Sequence, residues 1–146
     1  MTDTIIVGYD DKEPARRALD RAIDEAKSRN ARLVVIAVAE MPLNPADPRN
    51  FGTLDDGSAE LGIAESPELE QALTDARAAV EPTGIEAEYV WAAGDAGRQI
   101  VDLAKDRGAS LIVIGGHHEG FFSRTFGFSV QDEVRKHADC DVIVVE

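Results

Sequence analysis

Strand-length apolar runs alternate with helix-period segments along this 146-residue chain, and the alternation predicts an α/β fold, a doubly wound parallel sheet. Three observations carry that prediction. The runs Ile5-Ile6-Val7-Gly8-Tyr9, Leu33 to Val38 and Leu111 to Ile114 are continuous and largely β-branched, as in strands buried on both faces. Between them, apolar residues recur every three or four positions with charges on the opposite side, the signature of amphipathic helices. The length suits one domain spanning 1–146, and no internal repeat or second domain is visible.

Each element has its own local reason. Asp10-Asp11 ends the first strand, and from Pro14 the residues Ala15, Ala18, Leu19, Ala22, Ile23 and Ala26 take up helical spacing; a first-turn proline costs no hydrogen bond. With Leu33 to Val38 this makes a βαβ unit, expected to be right-handed. Glu40 to Ser66 then carries Pro42, Pro45, Pro48, Gly52, Gly57 and Gly62, which predicts a long irregular segment. Ser66-Pro67 reads as an N-cap and first turn, Glu68 and Glu70 suit the positive helix end, and Leu69, Leu73, Ala76 and Val80 form the buried stripe. Pro82 and Gly84 stop that helix.

Ile85, Ala87, Tyr89 and Trp91 alternate with Glu86, Glu88 and Val90, a half-buried pattern that predicts a strand at or near a sheet edge. After Gly94-Asp95 a third helix turns Ile100, Leu103 and Ala104 inward and ends at Gly108. Leu111 to Ile114 is the fourth strand, Val130 and Val134 support a short fourth helix, and Val142 to Val145 is the fifth strand.

Composition removes several function classes. The net charge of −13 argues against a nucleic-acid or anionic-membrane surface, since both need a positive face. No apolar run reaches the about 18 residues of a membrane span. No leader pattern precedes Thr4-Ile5-Ile6-Val7, and the single Cys140 has no internal disulfide partner, so a cytoplasmic protein is expected. Glu40 to Glu70 holds Glu40, Asp47, Asp55, Asp56, Glu60, Glu65, Glu68 and Glu70 against Arg49 alone. His117, His118 and His137 fall near Arg124, Arg135 and Lys136, the region better suited to an anion.

The candidate site is the stretch from Leu111 to Val130. A buried strand stops at Gly115-Gly116, passes a Gly-punctuated loop and re-enters a helix at Ser129, where an α/β protein would build a phosphate site. Ile-Ile-Val-Gly-Tyr-Asp at the start, Gly94-Asp95-Ala96, Leu-Ile-Val-Ile-Gly at the fourth strand, Ser129-Val130 and the Val-rich last strand together resemble the universal stress protein family over the whole chain. The resemblance implies a Rossmann-like, adenine nucleotide alpha hydrolase-like sheet of five parallel strands in the order 3-2-1-4-5 with four helices. Asp10 and the Gly115 loop would then face each other where the winding reverses.

In nucleotide-binding members of that family the loop reads Gly, two residues, Gly, nine residues, Gly, then Ser or Thr. Gly115 and Ser129 match its two ends, with Val130 following, whereas the two inner glycines fall on His118 and Phe128. Gly116, Gly120 and Gly127 lie close enough for a shifted cradle. Asp10 matches the acidic nucleoside contact, followed by Asp11-Lys12 instead of Gly-Ser; Val38 matches the adenine-facing backbone position and Ile114 a lining position. His117 falls where the family often carries a basic residue, and its charge would vary near neutral pH.

Other readings stand beside these. Asp10 could equally cap the following helix, and Ser129 could be an N-cap with Asp132 in the first turn. His117-His118-Glu119 is a poor chelate, because neighbours on an extended chain point apart. Phe121, Phe122, Phe126 and Phe128 pack the loop, fill a nucleotide's space or meet a partner. Cys140 between Asp139 and Asp141 should be unreactive. No catalytic constellation stands out, so no classical enzyme is expected. The expected protein is a regulatory homodimer paired through Val142–Val145, since an apolar sheet edge is normally covered, acting through contacts with an unknown protein partner. The alternative is ATP or AMP binding with magnesium, with slow ATP hydrolysis.

Overall fold

A computed structural model describes residues 3–10, 12–39, 51–53, 67–116 and 130–145. Its elements are β1 (Thr4–Gly8), α1 (Glu13–Arg29), β2 (Arg32–Ala39), β3 (Phe51–Thr53), α2 (Pro67–Val80), β4 (Ala87–Ala93), α3 (Ala96–Arg107), β5 (Leu111–Gly115), α4 (Val130–His137) and β6 (Asp141–Val145). The sheet order is β3-β4-β2-β1-β5-β6. Counted among the parallel strands alone, this is the expected 3-2-1-4-5 with four helices.

The sequence reading falls short in one place. Phe51–Thr53, within the segment read as irregular, adds a three-residue antiparallel strand to β4. Gly52 at its centre and the prolines before it leave no apolar alternation; backbone pairing alone defines it. β4 is therefore next to the edge strand, within the expected position at or near the edge, but from Tyr89 to Ala93 it is buried on both faces instead of half-exposed.

The sheet divides the apolar interior in two. On one face α1 and α2 bury Ala15, Ala18, Leu19, Leu69, Leu73 and their neighbours against Val7, Val35 and Trp91. On the other, α3 and α4 bury Ile100, Val101, Ala104, Val130 and Val134 against Ile6, Val34, Val90 and Ile112. Helix ends follow local chemistry: Gly84 and Gly108 adopt φ of 76° and 62°, a region open to glycine without penalty.

Charged pairs reinforce the frame. The Arg107 guanidinium, on α3, donates to both oxygens of Glu88 on β4, each at 3.0 Å, a bidentate geometry. Arg77 of α2 lies 5.2 Å over the Tyr89 ring. The buried Tyr9 hydroxyl donates to Asp75 of α2, with the Arg16 guanidinium 4.0 Å from the same carboxylate. Burial first, and then the bond to Asp75, push the Tyr9 phenol well above its ordinary value.

Gly115 carries the tightest constraint. A Cβ there would lie 2.8 Å from the Pro14 carbonyl carbon and 3.0 Å from its Cβ and O. The end of β5 thus rests on the first turn of α1 with no room for a side chain.

Two expectations follow. Gly115→Ala should destabilise the fold by about 1–3 kcal/mol through overpacking, with or without any ligand; an unchanged denaturation midpoint would refute the contact. Because the Tyr9 phenol is raised, its contribution is complete below the ordinary tyrosine value near pH ~10 and is lost as pH climbs through the raised one. Tyr9→Phe should therefore cost about 0.5–1.5 kcal/mol at neutral pH and flatten the alkaline fall in stability seen in the parent.

Candidate functional site

β1 is the strand from which the chain winds both ways. It pairs with β2 on one side and β5 on the other, Val7 opposite both Val35 and Val113. α1 and α2 cover one face, and α3 and α4 the other. The crevice outside the carboxyl ends of β1 and β5 is therefore the switch point of the sheet, with Asp10 on one lip and Gly115-Gly116 on the other.

Asp10 follows Tyr9, whose N–H donates to Ile36 O at 2.9 Å and prolongs the sheet pairing. The Asp10 carboxylate accepts the Lys12 N–H at 3.0 Å, closing a two-residue side-chain turn. The N-cap of α1 is Lys12, whose side chain makes no capping bond. Asp10 thus shapes the approach to α1 without occupying the cap position.

Val38, Ile114 and Val130 lie on the α3/α4 face, 0%, 1% and 9% exposed, and belong to one apolar cluster. The structure brings the side chains of these three expected site residues together in the core. Gly115 is fixed by Pro14, and the Gly116 N–H donates to Val145 O at 2.8 Å. His117, His118, Glu119, Ser129 and the Phe121–Phe128 cluster lie outside the described residues, as does most of Glu40–Ser66 including the Ser66 cap.

The rim adds Gln99 to the Gly94-Asp95 turn read from the sequence. Gly94, at φ 122°, donates its N–H to Ala39 O at 2.7 Å and closes the carboxyl end of the β2/β4 pair. Gln99 of α3 donates its amide to Ala93 O at 3.0 Å, and a Cβ on Gly94 would sit 3.3 Å from that amide nitrogen. Asp95 caps α3 by accepting the Arg98 N–H at 3.4 Å. The Gly94-Asp95 pair was the available signal, since glycine before an acidic cap marks a strand-to-helix turn with positive φ.

A cleft of about 300 Å³ lies apart from this crevice, between α3 and α4, lined by Arg98, Val101, Asp102, Lys105, Glu133 and His137. Burial, followed by the negative charge of Asp95, pushes the Glu133 carboxyl up. Burial also raises the Cys140 thiol, with Asp141 and Asp139 adding to it; the expected unreactive cysteine has burial as its first cause. Among the described residues no group of three or more His, Cys, Asp and Glu side chains is arranged to hold a metal, and no helix is long and apolar enough to cross a membrane.

The profile of the universal stress protein family matches residues 1–146. The chain is 28% identical to universal stress protein Sll1388 of Synechocystis over 151 aligned positions, covering 97% of this chain and 96% of that one. It is 26% identical to universal stress protein YxiE of Bacillus subtilis, covering 99% of both. A universal stress protein crystallised in complex with cAMP superposes with a TM-score of 0.73 at 26% identity, covering 99% of this chain and 97% of that one. A full-length profile match, two full-length relatives and a shared doubly wound sheet establish that the chain belongs to the universal stress protein family.

Proposed function

We propose that this universal stress protein is a cytoplasmic, homodimeric regulatory module that acts mainly through protein contacts, and that its nucleotide crevice survives in outline. One observation carries the reading: the described residues expected on the two lips of the crevice, Asp10 and Gly115, already have structural tasks. Asp10 accepts the Lys12 N–H, Gly115 is glycine because Pro14 leaves no space, and Val38, Ile114 and Val130 fill the core against one another. Replacement of the inner loop glycines by His118 and Phe128 points the same way, because side chains at such positions hinder close approach of backbone N–H groups to phosphate.

The homodimer rests on β6. It ends the sheet, pairs only with β5 among the described residues, and keeps Val142, Ile143, Val144 and Val145 half-buried. Antiparallel pairing with the same strand of a second copy would satisfy its outer backbone groups and cover those side chains.

A second reading has its own support. The structural relative at 26% identity was crystallised in complex with cAMP, which favours adenine-nucleotide binding, ATP or AMP, through a modified Gly115–Ser129 loop, with slow ATP hydrolysis as its catalytic form.

Calorimetric titration with ATP and magnesium, and with AMP, separates the two readings. The proposal expects no binding in the micromolar range and no nucleotide absorbance in the purified protein; micromolar binding would establish the second reading instead. His118→Gly with Phe128→Gly should create or strengthen binding, and no gain would count against the loop alignment. In sedimentation velocity the protein should run as a dimer, and Val144→Lys should shift it toward monomer while circular dichroism stays native. A parent protein that sediments as a monomer at all concentrations would overturn the β6 interface.

A further inference from the structure

Helices α3 and α4 run side by side in the same direction, because each returns from the carboxyl end of one parallel strand to the amino end of the next. Gly97 sets their level. A Cβ there would lie 3.1 Å from both Cβ and Oε2 of Glu133, so Glu133 stands opposite the bare first turn of α3. One turn further on, by the helical repeat, Val101 comes level with His137, the last residue of α4. Lys105 lies a turn beyond, past the end of α4.

The seam between the helices is open. Arg98, Val101, Asp102, Lys105, Glu133 and His137 line a cleft of about 300 Å³, with Val101 as its buried floor. A water's share of liquid volume is about 30 Å³, so the space suits a molecule of about ten non-hydrogen atoms. The lining charges balance: Arg98 and Lys105 supply two cations, and Asp102, between them on α3, and Glu133, across the seam, supply two carboxyls.

The cations are only loosely engaged. Arg98 stands 3.9 Å from Asp102, and Lys105 stands 3.9 Å from Asp139, beyond hydrogen-bonding reach; exposed pairs at this separation contribute little. His137 offers an N–H in either protonation state. A simple anion in the cleft would meet the two carboxyls, and a simple cation would meet Arg98 and Lys105. A molecule with one group of each sign finds a partner for both.

We propose that the α3/α4 cleft binds a small zwitterion of amino-acid size, its carboxylate on Lys105 and His137 at the foot of the seam and its ammonium toward Asp102 and Glu133. Burial, followed by the negative charge of Asp95, raises the Glu133 carboxyl; an ammonium there supplies compensating charge that Arg98 and His137 provide only in part. The occupant bridges the two helices and holds α4 on α3. This cleft is separate from the crevice at the switch point, so the site stands whichever reading of that crevice holds.

Amide chemical shifts of the whole protein, titrated with three four-carbon probes, test the site: γ-aminobutanoate has both charges, butanoate the anion alone, and butylamine the cation alone. γ-Aminobutanoate should shift amides of α3 and α4 saturably, with a dissociation constant in the millimolar range or tighter. Butanoate and butylamine should each bind about tenfold more weakly or worse. Asp102→Asn and Lys105→Gln change exposed side chains and should leave the fold intact while weakening γ-aminobutanoate by about tenfold or more. Arg17→Gln, on α1 across the sheet, should leave its binding unchanged. Absence of saturable shifts, equal binding of butanoate or butylamine, or undiminished binding in either cleft variant would overturn the proposal.

Discussion

Burial of β1 on both faces is the constraint from which the rest of the molecule follows. Ile5, Ile6 and Val7 are 0% exposed, so their backbone groups must be satisfied by neighbouring strands and their side chains by a layer on each face. β2 and β5 meet the first need, and the helix pairs α1/α2 and α3/α4 meet the second. Once the central strand is flanked on both sides, the connections must wind in opposite senses from it. A crevice at its carboxyl end is then unavoidable, whatever the rim residues are.

What the sequence reveals divides along the same line. Strands and helices with a clear apolar period are legible, because burial imposes that period on every residue of the element; the stripe of α1 is a plain case. β3 is not, because three residues around Gly52 are held by backbone pairing to β4 and carry no period. The Tyr9–Asp75 bond joins positions 66 residues apart, and the Gly115–Pro14 approach joins two loop-flanking residues. No local pattern encodes either one.

The site shows the difference more sharply. Asp10 fits a ligand contact, a helix cap and a two-residue turn equally well by residue type, and only geometry selects the turn to Lys12. Gly115 fits a phosphate loop by its place in a motif, yet the space it leaves is taken by Pro14. Packing by itself is enough to require glycine at this position. The residues that would discriminate, His118 and Phe128, lie outside the described residues.

The partition of the interior by the sheet has an energetic meaning of its own. Side chains beneath α1 and α2 do not belong to the cluster beneath α3 and α4; alternate residues of each parallel strand serve one or the other. Perturbations confined to opposite faces share no partners and combine additively, whereas those within one face couple through packing. In thermodynamic terms the domain is two half-cores joined by a hydrogen-bonded wall, free to accumulate substitutions on one side without compensation on the other.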